Sequence, residues 1–135
     1  MKGSCLCGAV AYEAEPPAGG LRIGFCSCPS CRKAHASAFN VYASVPRQGF
    51  RWLRGADKTS VYESSPGKNR HFCSVCGSHL IAERPAEPHV ILRVATLDED
   101  PGSKPVIHIW RSHEVPWCAY EGDIKRFAEW PPGRP

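Results

Sequence analysis

Phe72-Cys73-Ser74-Val75-Cys76-Gly77-Ser78 decides the fold. Two cysteines three residues apart, with a glycine directly after the second, describe a tight turn that brings both sulfurs to one point. Gly77 supplies the positive φ angle that such a knuckle needs. The flanks, Arg70 to Cys73 and His79 to Glu83, read as two strands. Further out, short alternations predict strands over Cys7–Glu13, Gly20–Cys28, Asn40–Val45, Thr59–Ser64, His89–Thr96 and Val106–Trp110. One short helical turn is expected at Arg32–Ala36 and a short terminal helix at Ile124–Trp130, before a frayed Pro131–Pro135 tail. Thirteen prolines and twelve glycines leave little room for long helices. The expected class is mainly β: several short antiparallel sheets and few short helices.

The chain has 135 residues, which suits a single domain over 1–135 with one core. Hydrophobic residues make up 42% and charged residues 22%, a globular balance. The net charge is +4, and no Lys/Arg run exceeds two residues. That disfavours a nucleic-acid stripe and leaves a modest field suited to a small anion. The first residues lack the apolar core of a signal peptide, and no stretch is long enough to span a membrane. A cytoplasmic location is expected, and there a cysteine-rich pattern points to metal or catalysis before disulfides.

Seven of the eight cysteines fall in three clusters: Cys5/Cys7, Cys26/Cys28/Cys31 and Cys73/Cys76. Thiolates are soft, anionic donors, and tetrahedral zinc accepts four. On a strand, residues i and i+2 face one side, so Cys5 and Cys7 are expected to reach one ion together. With Cys73 and Cys76 they complete a closed site. The middle cluster then has three cysteines and no obvious fourth donor, the pattern of an open, catalytic zinc. Closure by Cys118 or His35 is the alternative, although Cys118 also reads as a small buried hydrophobe. His71 and His79 flank the knuckle and read as supporting or surface residues. A thioredoxin-like reading of Cys28–Cys31 lacks its βαβ setting. A zinc ribbon joining Cys28/Cys31 to Cys73/Cys76 would orphan Cys5, Cys7 and Cys26.

Three blocks carry a resemblance: Gly3-Ser4-Cys5-Leu6-Cys7-Gly8-Ala9-Val10-Ala11-Tyr12, Cys26-Ser27-Cys28-Pro29-Ser30-Cys31-Arg32-Lys33 and the knuckle itself. So do Leu97-Asp98, Pro105-Val106-Ile107-His108-Ile109-Trp110 and Pro116-Trp117. Together they resemble the glutathione-dependent formaldehyde-activating enzyme family, which includes centromere protein V. The resemblance implies curled antiparallel sheets around a zinc knuckle. It also implies two zincs per chain: a structural one on Cys5, Cys7, Cys73 and Cys76, and a labile one on Cys26, Cys28 and Cys31. The activity implied is a carbon–sulfur lyase acting on a thiol adduct of formaldehyde, with glutathione as the thiol. The sequence departs from the family at Ser27, where histidine is frequent, and at Ala36, where glycine is frequent. Arg32, Lys33, Lys68 and Arg70 are candidates to hold a thiol substrate's carboxylate, and His35 is the candidate base. A zinc-stabilised binding module for protein or nucleic acid is the competing expectation.

Overall fold

The computed structural model describes residues 1–118 and 127–133. Among the described residues, ten strands form two sheets. The smaller has the order β1 (Lys2–Ser4), β2 (Ala11–Ala14) and β5 (Phe50–Arg54), all antiparallel. The larger runs β10 (Pro105–Ile109), β3 (Ile23–Cys26), β4 (Asn40–Pro46), β9 (His89–Arg93), β8 (His79–Glu83), β7 (Lys68–Cys73) and β6 (Thr59–Ser65). The mainly-β reading is correct, and the β7–β8 hairpin turns at the cysteine knuckle.

One pairing departs from the antiparallel expectation: β10 lies parallel to β3. No hairpin joins these strands, so no tight turn dictates their relative direction. A side-chain chain fastens them instead. Ser27 Oγ meets His108 Nε2 at 2.8 Å, and His108 Nδ1 meets Glu114 Oε1 at 3.2 Å. Two strands, β1 and β5, were absent from the sequence reading. The first is three residues long and shows too few positions for a period. The second places Phe50 and Trp52 on one face, against Tyr12.

Both sheets feed one core. Tyr12 and Ala14 come from the small sheet, and Ile23, Ala43, Val45, Leu80, Val90 and Leu92 from the large one. The alternation of β4 and β9 is what sends Ala43, Val45, Val90 and Leu92 inward together. Tyr12 is fully buried. Its hydroxyl pairs with Thr96 Oγ1 at 2.9 Å, and burial pushes the phenol up to about 12.

Helix α1 spans Pro29–His35, three residues earlier than the expected turn. Pro29 has the φ angle that suits a first helical position, and the Cys28 sulfur caps the helix by accepting from Cys31 N–H at 3.3 Å. Ala36 ends it in the left-handed region at φ 46°, so Ala36 is a cap and not part of the helix. Of the expected Ile124–Trp130 helix, 124–126 lie outside the described residues, and Phe127–Trp130 is not helical. Residues 134–135 of the tail also lie outside them. No described helix is long and apolar enough to cross a membrane.

Gly55 fixes how β5 meets the loop before β2. Its φ is +68°, and a side-chain methyl there would strike the Ala9 carbonyl oxygen and lie 3.2 Å from Val10 Cα. Both partners are backbone and cannot swing away. Gly55→Ala is expected to cost about 3 kcal/mol, combining left-handed strain with overpacking. Urea unfolding would register this as a lower midpoint at an unchanged slope. An unchanged midpoint would mean that the loop yields freely.

Candidate metal centres

Cys5, Cys7, Cys73 and Cys76 bring their sulfurs within 4.8 Å of one another. Cys5 and Cys7 sulfurs lie 3.6 Å apart, and Cys7 and Cys73 sulfurs 3.9 Å apart. A tetrahedral ion with bonds of about 2.3 Å places its sulfurs about 3.8 Å apart, so the cluster has the size of a tetrathiolate site. The knuckle forms as the sequence suggests. Gly77 sits at φ +77°, its N–H donates to the Cys73 carbonyl at 2.8 Å, and the Cys73 N–H donates to the Ser78 carbonyl at 2.9 Å.

The other half corrects the strand expectation. Cys5 to Ala9 is a turn, closed by Gly8 N–H to the Cys5 carbonyl at 2.9 Å. It is the turn that gathers the Cys5 and Cys7 sulfurs, while β2 begins only at Ala11. A pleated strand would place alternate side chains roughly 6–7 Å apart, too far for one ion. Val10 N–H holds the Cys5 sulfur at 3.3 Å. Ser78 ties the halves together: its hydroxyl accepts from Leu6 N–H at 3.0 Å and lies 3.3 Å from the Cys76 sulfur. The Ser78 side chain and backbone bring the Cys76 thiol down to about 5, readying it as an anionic donor.

Cys26, Cys28 and Cys31 form a second group, again with all sulfurs within 4.8 Å. Cys26 ends β3, Cys28 caps α1 and Cys31 lies in its first turn, so a strand end and a helix start converge. Burial pushes the Cys26 thiol up to about 12. Burial also acts to raise Cys31, but the Arg70 guanidinium, 3.8 Å from its sulfur, outweighs this and holds it below its ordinary value.

Among the described residues no fourth donor joins this cluster. His35 stacks edge-on to His79 at 4.9 Å, and its Nε2 is buried without a partner. Burial, then Arg93, brings the His35 imidazole down to about 3, so it stays neutral through the physiological range. Cys118 lines a separate cavity of about 290 Å³ with Ser27, Phe39 and His108.

The candidate cations divide. Arg32 Nε turns back to the Ser27 carbonyl at 3.2 Å. Lys33 borders an open cavity of about 570 Å³ together with Ser30, Arg70, Phe72 and His79. Lys68 borders a smaller cavity of about 80 Å³ that also contains Cys26 and Cys31 in its wall. Arg70 is 2% exposed and donates from Nε to Ser64 Oγ at 2.8 Å. Sequence reading missed Arg93, which closes β9 at 4% exposure and lines the same small cavity. The available signal was an arginine ending the apolar run Val90-Ile91-Leu92.

His71 and Glu83 lie apart from both clusters and pair at 2.8 Å, with Arg47 on the other carboxylate oxygen. Burial acts to raise the Glu83 carboxyl, but Arg47 and then His71 outweigh it and hold it below the usual range. A depressed folded-state pKa means stability that is present above the unfolded carboxylate value, about 4.3, and lost as pH falls through the folded value. Glu83→Gln is expected to cost about 1 kcal/mol at neutral pH. Its stability should converge with wild type toward pH 3. A difference that persists into acid would place the effect in packing.

Residues 1–113 match the family described as glutathione-dependent formaldehyde-activating enzyme. A Halomonas elongata protein named "Putative glutathione-dependent formaldehyde-activating enzyme" is 31% identical over 130 residues, covering 90% of this chain and 81% of that protein. A Fusarium vanettenii protein of the same name is 29% identical over 76 residues, 56% of this chain and 41% of that protein. A Rhodobacter sphaeroides protein of known crystal structure superposes with a TM-score of 0.62 at 29% identity, over 80% of this chain and 99% of that one. With its sheets, its knuckle and its cysteine clusters in this order, the chain belongs to the glutathione-dependent formaldehyde-activating enzyme family.

Proposed function

We propose that this protein is a zinc-dependent carbon–sulfur lyase. It makes and cleaves the thiol adduct of formaldehyde or a related small aldehyde, with glutathione as the thiol. The observation that carries this is the three-sulfur cluster of Cys26, Cys28 and Cys31, which has no fourth donor among the described residues and two of whose cysteines, Cys26 and Cys31, line a cavity of about 80 Å³. Cys5, Cys7, Cys73 and Cys76 would hold a structural zinc. Zinc held by Cys26, Cys28 and Cys31 would supply a soft Lewis acid that favours the thiolate form of a thiol substrate.

The chain's own residues do the rest. Cys26 and Cys31 hold the reacting centre below the protein surface, and Cys28 holds its half-exposed side. The larger cavity beside Lys33 and Arg70 has the size to take a tripeptide thiol, with the two cations facing its carboxylates. Arg32 is already committed to a backbone carbonyl, which leaves Lys33 as the better of that neighbouring pair.

Exchange NMR tests the reading. The metal-loaded protein is expected to raise the rate of exchange between glutathione plus formaldehyde and their S-hydroxymethyl adduct above that of buffer, in proportion to its concentration. Replacing the thiol by cysteine, or formaldehyde by acetaldehyde and glyoxylate, maps the substrate class. An exchange rate equal to that of buffer across the whole panel would refute the proposal.

A further inference from the structure

Arg93 is a buried cation whose hydrogen bonding is incomplete among the described residues. It is 4% exposed, and its Nε and Nη2 are buried with no hydrogen-bond partner. Arg70, 2% exposed, also leaves Nη1 unpartnered. No carboxylate pairs with either guanidinium among the described residues. A buried, unpaired cation is costly unless something anionic completes it. The three sulfurs supply part of that charge, since Arg70 Nη2 lies 3.8 Å from Cys31 Sγ. They do not satisfy the remaining N–H groups. Arg93 and Lys68 border the small cavity with Cys26 and Cys31, whereas Arg70 borders the larger one. The cations therefore ring the cysteine cluster on two sides.

We infer that Arg93 is an oxyanion-binding residue for the small aldehyde, with Arg70 and Lys68 supplying the surrounding positive field. This rests on the lyase reading above and adds to it the group that receives the aldehyde oxygen. The thiol loses its proton to solvent, and its sulfur forms a bond to the carbonyl carbon. The C=O π pair moves onto oxygen as an alkoxide. That oxygen then takes a proton, so thiol plus aldehyde gives the hydroxyalkyl thioether with no oxidant or reductant. Arg93 borders the small cavity while its side chain is 4% exposed, and a guanidinium held among packed atoms acts strongly on charge that develops beside it. At about 80 Å³ this is the smaller of the two cavities that border the cations, and it suits a small aldehyde.

Formate, a one-carbon oxyanion, is the probe. In metal-loaded wild type it is expected to shift the Arg93 Nε–H resonance and to bind in the millimolar range. In Arg93→Met that binding should fall at least tenfold. Turnover should drop about a hundredfold or more with the KM for glutathione changed less than threefold. Arg93→Lys should recover part of both. Because Arg93→Met removes an unpaired buried cation, its Tm should equal or exceed that of wild type, which a merely structural arginine would not allow. Unchanged formate binding in Arg93→Met would overturn the inference while leaving the lyase reading intact. Arg93-dependent formate binding in a protein without exchange activity would support the anion site and overturn the lyase reading.

Discussion

Cys73→Ser is expected to abolish the cooperative unfolding transition. Cys73 is fully buried in the core at the end of β7, and its sulfur lies 3.9 Å from that of Cys7, 66 residues earlier in the chain. The four-cysteine cluster thereby joins an N-terminal turn to the hairpin of the large sheet. A structural zinc contributes on the order of 10–16 kcal/mol of apparent binding energy, all of it available to folding when the unfolded chain holds no site. A domain of this size is stable by only about 5–15 kcal/mol. Losing one sulfur leaves three donors and a buried hydroxyl, so the loss rivals the whole stability. Circular dichroism on heating should show a gradual slope instead of a sigmoid, and the metal content should fall by one per chain. A strong chelator should reproduce this in wild type. A Cys73→Ser protein that melts like wild type would show that the cluster holds nothing together.

Cys28→Ser is expected to have the opposite profile, with activity lost and fold kept. Cys28 is only half-buried, and its structural task is to cap α1 through a sulfur that accepts from Cys31 N–H. Serine is among the best residues for that task, so the helix start survives. What serine does poorly is donate as a soft anion to zinc. The second metal should be lost to a weak chelator while the first remains. Exchange of the thiol adduct should fall about a thousandfold or more, which corresponds to roughly 4 kcal/mol of transition-state stabilisation. The Tm should move by only a few degrees. Full exchange activity in Cys28→Ser would remove the three-cysteine cluster from the chemistry. Unfolding would show that this cluster, too, is structural. The two variants separate the roles because one sulfur lies in the core and the other at a half-exposed helix cap.

Much of the fold was legible because it obeys local rules. His79–Glu83 was read with both of its ends correct, since a glycine knuckle starts the strand and Pro85 follows it. Lys68–Cys73 and Asn40–Pro46 were read to within two residues for the same reason. Local rules failed where partners are distant. Lys2–Ser4 has no period of its own and forms because β2 lies beside it. Nothing in Pro105–Ile109 specifies a parallel neighbour; Ser27 and Glu114 fasten His108 after the chain has arrived. The Cys5 and Cys7 sulfurs do lie together, but on a turn where the sequence suggested a strand, because a strand and a tight turn can carry the same two letters.

Short cysteine spacings and alternating apolar residues already carry the class of the fold and the grouping of seven cysteines, because a few neighbouring residues satisfy such constraints on their own. Only the tertiary structure decided what surrounds the three-cysteine cluster. His35 turns toward His79, Cys118 lies in another cavity, and Arg70 and Arg93 come from separate strands to stand beside the sulfurs. The physical reason is that charge compensation inside a protein depends on distance and burial. Neither can be read from a chain in which Cys31 and Arg93 are separated by sixty-one residues.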